Sequence, residues 1–493
     1  MTATQPTAAP PAPSGVEANG LNTIAESERK GRARDLFWPW FAANVSVLGI
    51  SYGSFILGFG VSFLQATLVG VIGVVISFAL CGVVALAGRR GSAPTMLLSR
   101  AAFGVHGNRL AAVISWVLLV GWETALTSLA VLATSTVFTE LGLDLGPITK
   151  VVALVVVALL TVGAGVVGFD VIMRMQKWIT VVTGVLTVLY IALTLNRVDL
   201  EAVAAVPAAA PTAVIGALIF VMTAFGLGWV NAAADYSRYL PRSTRGASVF
   251  GWTTFGGAVA PVLLVVYGLL LAASSPKLSE AIGADPIGAL ASLLPTWFLV
   301  PFAVVSILGL IGGSVLNIYS SGLALLSAGV RVPRYVAAGI DGVIMILGTV
   351  YVAFFANDFV GPFQGFLITL GVPISAWCGV FIADVVLRRR PYAEADLLDP
   401  RGRYGAVRWS AVALVVVGTV VGWGLVTSFT PAFAWQGYLL GPIGGREGDW
   451  AFANLGVLFA LLLGFVGTLL LTRGSVRRQE SLPVTALRGR VDA

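Results

Sequence analysis

Residues 38–55 read WPWFAANVSVLGISYGSF, and this stretch decides the fold. It is apolar enough to enter hydrocarbon, which a helix crosses in about 20 residues. Yet Asn44, Ser46, Gly49 and Ser51 interrupt it mid-way. A second interruption lies in residues 223–241, TAFGLGWVNAAADYSRYLP, where Gly226, Gly228 and Asn231 precede Asp235. Broken helices of this kind bring backbone carbonyls and helix ends to mid-membrane, and free backbone is tolerated there only where it lines a cavity. The plainer reading of either stretch is helix packing through Gly and small polar residues.

Working outward, apolar spans recur along the whole chain. They lie near 38–60, 64–88, 110–138, 149–168, 178–195, 212–234, 247–273, 297–328, 335–356, 362–387, 409–430 and 450–472, twelve in all. The composition agrees. Of 493 residues, 57% are hydrophobic and 11% charged, against about 25% charged in a soluble domain. Mean hydropathy is +0.92. The interrupted stretches are the first and sixth spans. Breaks five spans apart are the pattern of an inverted-repeat transporter.

Charge sets the orientation. The run Arg29, Lys30, Arg32 and Arg34 precedes the first span, and the N-terminal residues lack the apolar core of a secretory signal. With the N-terminus inside, only Lys150, Arg197, Lys277 and Arg446 of the 30 Lys and Arg fall outside. Adding or removing one span would scramble that bias, so both termini are expected in the cytoplasm of a cell that carries the chain in its inner (plasma) membrane. The net charge of +7 is explained by this distribution, and no nucleic-acid partner is expected.

Glu123 is the most informative single residue. It sits inside the third span, in VLLVGWETALTSL (117–129). A carboxylate there costs roughly 2.5–3.5 kcal/mol on insertion scales and usually marks a solute or proton path. A protonated structural glutamate is the bland alternative. Trp122 beside it, and Trp229 at the sixth-span break, offer flat faces at mid-depth for a planar solute. Asp235, Asp341 and Asp384 read as partners of Arg238, Arg334 and Arg388. His106 reads as an exposed loop histidine, residues 286–296 as a short interfacial helix, and Cys81 and Cys378 as buried thiols. No metal-ligand cluster, phosphate loop or nucleophile–base pair appears, so an enzyme is not expected. A receptor would need a soluble module, and the longest inside loop, near 388–408, is too short for one. A channel would need a ring of charges.

Several segments resemble the nucleobase–cation symporter family of purine–cytosine, allantoin and hydantoin permeases. They are GLNTIAESERKG (20–31), FWPWFAANVSV (37–47), APTMLLSRAAFGVHGN (93–108), GWET (121–124), GWVNAAADYSRYLPRST (228–244) and LNIYSSGLALLSAG (316–329). The resemblance implies an all-α integral membrane protein of twelve transmembrane helices, a LeuT-like five-plus-five inverted repeat with two C-terminal helices. The division expected is a disordered tail over 1–35, one transporter domain over 36–472, and a cytoplasmic tail over 473–493. Within the domain the repeats fall at 36–195 and 212–387, and the extra pair at 409–472.

The resemblance also implies function: cation-coupled import of a planar heterocycle such as cytosine, a purine, uracil, hydantoin or allantoin. A same-fold symporter for an amino acid or a vitamin-like pyrimidine is the alternative. The base would stack between Trp122 and Trp229, next to Gly228. Relatives often carry an amide four residues after the third-span Trp, where this chain has Leu126. Glu123, Thr127 and Asn44 are the candidate substitutes, with Asn231 a further polar contact. Sodium-coupled relatives hold their ion between first-span carbonyls and eighth-span hydroxyls. The matching positions are Ala42 and Val45, with the hydroxyl pair reduced to Val305 and Ser306. The coupling ion is therefore a proton or sodium, with no other metal and no cofactor. Gln364 would lie at an outer gate. The expected partners are the solute and the lipid bilayer, and the chain is expected to be a monomer.

Overall fold

The computed structural model describes residues 16–143, 145–356, 360–428 and 430–482. The expected tail residues 1–15 and 483–493 lie outside the described residues. Every regular element among the described residues is helical. Ten helices are long and apolar enough to cross a membrane, and a bent pair, Ala33–Asn44 and Leu48–Leu57, makes up to eleven. Trp409–Gly424, at 16 residues, is a shorter apolar helix.

Helix ends follow local chemistry. The second span, Phe63–Gly91, starts at a capping box in which the Gln65 amide N–H donates to Ser62 Oγ at 3.3 Å and the Ser62 N–H to Gln65 Oε1 at 3.0 Å. It ends with Arg89 and Arg90 in its last turn, where positive charge suits the helix dipole. The third span, Asn108–Glu140, packs along the eighth, Leu299–Ala328, and the second along the seventh, Gly246–Ser274. The tenth, Val360–Leu387, packs along the last, Leu455–Ser481.

Several boundaries differ from the sequence expectation. The fifth span starts at Phe169, well before residue 178, because buried Gln176 is helical rather than part of a loop. The last span starts at Leu455 and runs to Ser481, into the expected tail. There Gln479 Oε1 accepts from Arg388 at 2.7 Å, and Glu480 accepts from the Arg389 and Arg390 N–H groups at 2.8 Å. In residues 286–296 the only α-helix is the four-residue Gly288–Ala291, too short for an interfacial helix.

Both expected breaks are present. The first span bends by 65° between its halves. The Asn44 side-chain amide donates to Trp40 O at 2.7 Å, and Ser46 Oγ accepts from Leu48 N at 3.3 Å. The sixth span stops at Ala224 and restarts at Gly226, with Phe225 at φ −110° and ψ −106° between them. The second span tends this break: Gly226 N donates to Ser77 Oγ at 3.0 Å, and Cys81 Sγ to Gly226 O at 3.1 Å. A Cβ at position 226 would run into the Ser77 backbone, so only glycine allows this approach.

The N-terminal segment bonds the arginine-rich face. From residue 16 onward the expected disordered tail is instead packed onto it, because its acid meets buried cations. Glu17 Oε1 accepts from Tyr319 at 3.1 Å, from Arg238 at 3.4 Å and from Tyr239. Glu17 Oε2 accepts from Phe169 N at 2.8 Å, with Arg334 Nε at 3.8 Å. Arg238 and Arg334 are thus engaged by Glu17, and their expected partners bond elsewhere. Asp235 accepts from Thr95 N at 2.7 Å and Thr95 Oγ1 at 2.8 Å. Asp341 accepts from Trp116 and Ser321. Asp384 does pair with Arg388, at 2.6 Å. His106 is exposed, as expected. The opposite face holds a cavity of about 950 Å³, whose lining includes Ser54, Phe59, Phe220, Gln364, Ile368 and Asn454.

Candidate functional site

Below that cavity lies an aromatic floor. Tyr52 packs against Phe225 at 4.7 Å and Phe220 at 6.2 Å between ring centroids. The two interrupted spans and the third and eighth spans meet under it.

The third span presents two adjacent faces. Trp122 and Leu126, four residues apart, lie one above the other. Trp122 is buried against Gly228: a Cβ there would stand 3.0 Å from the Trp122 indole nitrogen. Trp229 follows Gly228 directly and is buried, with the edge of Trp40 against it at 5.9 Å. Phe363 from the tenth span closes on Trp122 edge-on at 5.3 Å. Trp122 thus lies on the turn of the sixth-span break that precedes Trp229, and its Nε1 has no hydrogen-bond partner within the protein. Leu126 covers Gly313 of the eighth span, where a Cβ would come within 2.7 Å of Leu126 Cδ1.

The second face carries Glu123 and Thr127, and it turns toward the eighth and ninth spans. Thr127 Oγ1 lies 3.2 Å from Met345 Sδ and 3.5 Å from Ser314 Oγ. Glu123 is fully buried on the same face as Trp116 and Thr127, which reach Asp341 and Met345 of the ninth span. Neither of its oxygens accepts a hydrogen bond. The structure thus sets Trp122 against Gly228, the residue before Trp229, and directs the Thr127 hydroxyl toward the eighth and ninth spans. Asn231 also stands apart. Its amide donates to Ser115 Oγ at 2.7 Å, and Ser115 lies two helical turns, about 10 Å, before Trp122. Asn44 is buried at the first break with its amide nitrogen engaged by Trp40 O.

The cation positions change in register. The carbonyls of Ala42 and Val45 meet Gly312 and Gly309 of the eighth span. A Cβ on either glycine would lie 2.8 Å from the facing oxygen. Ser306 sits one turn before Gly309, buried, its hydroxyl without a partner. The eighth span therefore turns three glycines, 309, 312 and 313, toward the broken first span. Gln176 of the fifth span reaches the same place, donating to Gly312 O at 2.7 Å. Its Oε1 accepts nothing within the protein. Two carbonyls and one amide oxygen are a sparse set for sodium.

Sequence reasoning passed over Gln176, Ser77 and Asn317. Asn317 Nδ2 donates to Gly313 O at 3.1 Å, and its Oδ1 is buried without a partner. Asn317 stood in a quoted motif, LNIYSSG, and Ser77 is a lone hydroxyl in an apolar span. Gln176 was masked by its neighbours Arg174 and Lys177, which read as loop.

The family of permeases for cytosine/purines, uracil, thiamine and allantoin matches residues 23–443. The chain belongs to this family. The permease is 24% identical over 412 residues to YxlA of Bacillus subtilis (strain 168), provisionally named a purine-cytosine permease, covering 81% of this chain and 86% of that one. It is 25% identical over 487 residues to the purine-cytosine permease FCY2 of Saccharomyces cerevisiae, covering 92% and 87%. Among solved structures it resembles Mhp1, a nucleobase-cation-symport-1 family transporter in a closed conformation with bromovinylhydantoin bound. The TM-score is 0.71 at 18% identity, over 96% of this chain and 98% of that one. A substrate-bound, outward-open Na+-coupled sialic acid symporter matches with a TM-score of 0.60 at 12% identity, over 91% of each chain. The permease shares their fold. It is a transporter and not an enzyme.

Proposed function

We propose that this permease imports a planar nucleobase-like heterocycle by cation-coupled alternating access, with the ring held between Trp122 and Trp229. The observation that carries the proposal is Trp122 seated on Gly228, the residue before Trp229, with its N–H buried and unpartnered. A buried donor without a partner costs about 1–3 kcal/mol, which a water or solute acceptor at the edge of the indole recovers. Gly228 keeps this turn free of a side chain. Asn44 at the first break and Asn317 on the eighth span are the polar contacts the geometry favours. Glu123 is assigned to coupling, because it lies on the face that reaches Asp341.

A proton is the coupling ion in this reading. Glycines face Ala42 and Val45 where a sodium site needs hydroxyls, and a buried carboxyl is at hand. Alternation of third-with-eighth and second-with-seventh packing supports the five-plus-five repeat over 36–195 and 212–387, with Trp409–Gly424 and Leu455–Ser481 as the extra pair. Counting Trp409–Gly424 and the bent first span then gives twelve crossings of the plasma membrane. The arginine-rich face, with both termini, is cytoplasmic, and the cavity lined by Gln364 opens outward. The permease works in the bilayer as a monomer. A vitamin-like pyrimidine is the second reading, favoured by thiamine within the family's range.

Uptake of labelled cytosine, adenine, uracil, hydantoin, allantoin and thiamine into proteoliposomes is the test, with Trp122→Ala alongside. At least one planar ring is expected to accumulate in the wild type and to lose about tenfold or more of its uptake in the variant. Unchanged uptake in Trp122→Ala would sink the sandwich.

A further inference from the structure

We propose that Glu123 and Asp341 form a proton-holding pair, two carboxyls sharing one proton, with Ser321 as the hydroxyl set between them. The proposal rests on the transport reading only for its purpose; the pair itself stands on geometry.

Asp341 is fully buried on the ninth span, Arg334–Phe354. Each of its oxygens has one donor from a different helix. Trp116 Nε1 of the third span gives to Oδ1 at 2.7 Å, and Ser321 Oγ of the eighth gives to Oδ2 at 2.8 Å. Glu123, also fully buried, lies on the same face of the third span as Trp116 and Thr127, which reach Asp341 and, one turn further on, Met345 of the ninth span. Ser321 Oγ also lies 3.2 Å from Ile318 O, and neither Glu123 oxygen has a hydrogen-bond partner within the protein.

The remaining charged and titratable neighbours do not neutralise the pair. From the sixth span Tyr236 faces Glu123, but its hydroxyl donates to Leu316 O at 2.8 Å. Asp235 bonds Thr95, and Arg238 bonds Gly20 O, Glu17 and Tyr319. Arg334, on the same helix as Asp341, is spent on Gly165 O at 2.7 Å, Val166 O at 2.8 Å and Glu17. Among the described residues no Lys or Arg forms an ion pair with either carboxyl.

Two neighbouring carboxyls without a cation cannot both ionise at this depth, since each charge resists desolvation and repels the other. One proton must stay. The donors decide where: two hydrogen bonds favour the carboxylate at Asp341, and none favours it at Glu123. Glu123 is therefore the carboxylic acid, which costs far less to bury than its anion. A pair kept for structure alone would have both members satisfied. Here one is satisfied and the other is left with a proton to give. That makes Asp341 the positioning residue, the group that holds the proton on Glu123.

The test uses the purified full-length protein and two readouts. First, infrared spectra without solute: the wild type is expected to keep a protonated-carboxyl band at about pH 8, and Asp341→Asn to lose it. Second, labelled cytosine uptake driven by a pH gradient: in Asp341→Asn the alkaline limb of the profile moves to lower pH by about one unit or more, because the like charge is gone. Ser321→Ala removes one donor from the carboxylate and moves the limb the other way, toward higher pH. It serves in place of Asp341→Asn if that variant does not fold. No wild-type carboxyl band at about pH 8, or a band and profile unmoved by both variants, overturns the pair. A carboxyl band that responds as stated, with no uptake of any base, leaves the pair standing and removes the substrate reading.

Discussion

Tyr319 of the eighth span donates its hydroxyl hydrogen to Glu17 at 3.1 Å, so a carboxylate from the N-terminal segment locks a face built by the membrane helices. Arg238 and Arg334, both buried, meet the same carboxylate. Removing one partner of a buried ion pair typically costs about 3–5 kcal/mol, because the other charge is stranded. Glu17→Gln keeps the shape and removes the charge. It is expected to lower the thermal midpoint in detergent and to expose this face to a membrane-impermeant thiol reagent at a cysteine placed beneath it. Tyr239 adds a pH term. Burial, partly offset by Arg238, pushes its hydroxyl up to about 12. Its contribution is therefore complete below about 10, the unfolded value, and is lost as pH rises through about 12.

Gly312→Ala sets a methyl 2.8 Å from Ala42 O, a backbone atom that has little room to yield. Overpacking of this kind costs about 1–3 kcal/mol. The variant is expected to lose most transport while still inserting in the membrane, since the first and eighth spans can no longer close on each other. Replacing sodium by choline should leave wild-type uptake unchanged. A sodium-dependent rate in the wild type would restore sodium as the coupling ion.

Leu126→Gln returns an amide to the turn above Trp122. The side chain is one atom longer than leucine and lies over Gly313, where no side chain competes. A new hydrogen bond to a bound ring is worth about 1 kcal/mol, more if it satisfies a group otherwise left bare. Competition assays are expected to show the ranking of hydantoin against cytosine shift by about tenfold relative to wild type. An unchanged ranking would place the solute elsewhere.

Arg388 spans three elements. It holds Asp384 through two nitrogens at 2.6 and 2.9 Å, Ala101 O at 2.9 Å and Gln479 at 2.7 Å. Arg388→Met strands the Asp384 charge and frees the end of the last helix. It is expected to reduce stability by about 3 kcal/mol or more, measured by thermal aggregation of the detergent-solubilised protein. Arg388→Lys should rescue little, because a point charge cannot reproduce the planar fork.

The membrane architecture was legible because hydrocarbon imposes long apolar runs, and both breaks were legible because Asn44 and Gly226 contradict their surroundings. Trp122 and Trp229 drew attention for the same reason, as aromatic residues beside polar or glycine positions at mid-depth. The fate of Asp341 was not. Its sequence neighbour Arg334 is an obvious partner, and nothing local reveals that Trp116 and Ser321 arrive from other helices. Which eighth-span residues face Ala42 and Val45 was not legible, because that span is apolar over most of its length and its periodicity leaves rotation undefined. Val305 and Ser306 looked suitable by residue type alone. The docking of Glu17 escaped notice because a single acid in a Pro- and Ala-rich stretch carries no signal until the cations it meets are known.

The hydrogen bonds that Ser77 and Cys81 make to Gly226 have a mechanical meaning. A helix interrupted at mid-depth would ordinarily act as a loose joint, with each half free to swivel. Here both polar ends of the joint are clasped from the side by the second span, which itself lies along the seventh. The lower half of the sixth span cannot turn without dragging those two with it. The three helices behave as one lever arm, and the pivots of any swing must sit in the connections that tether this arm to the rest of the molecule.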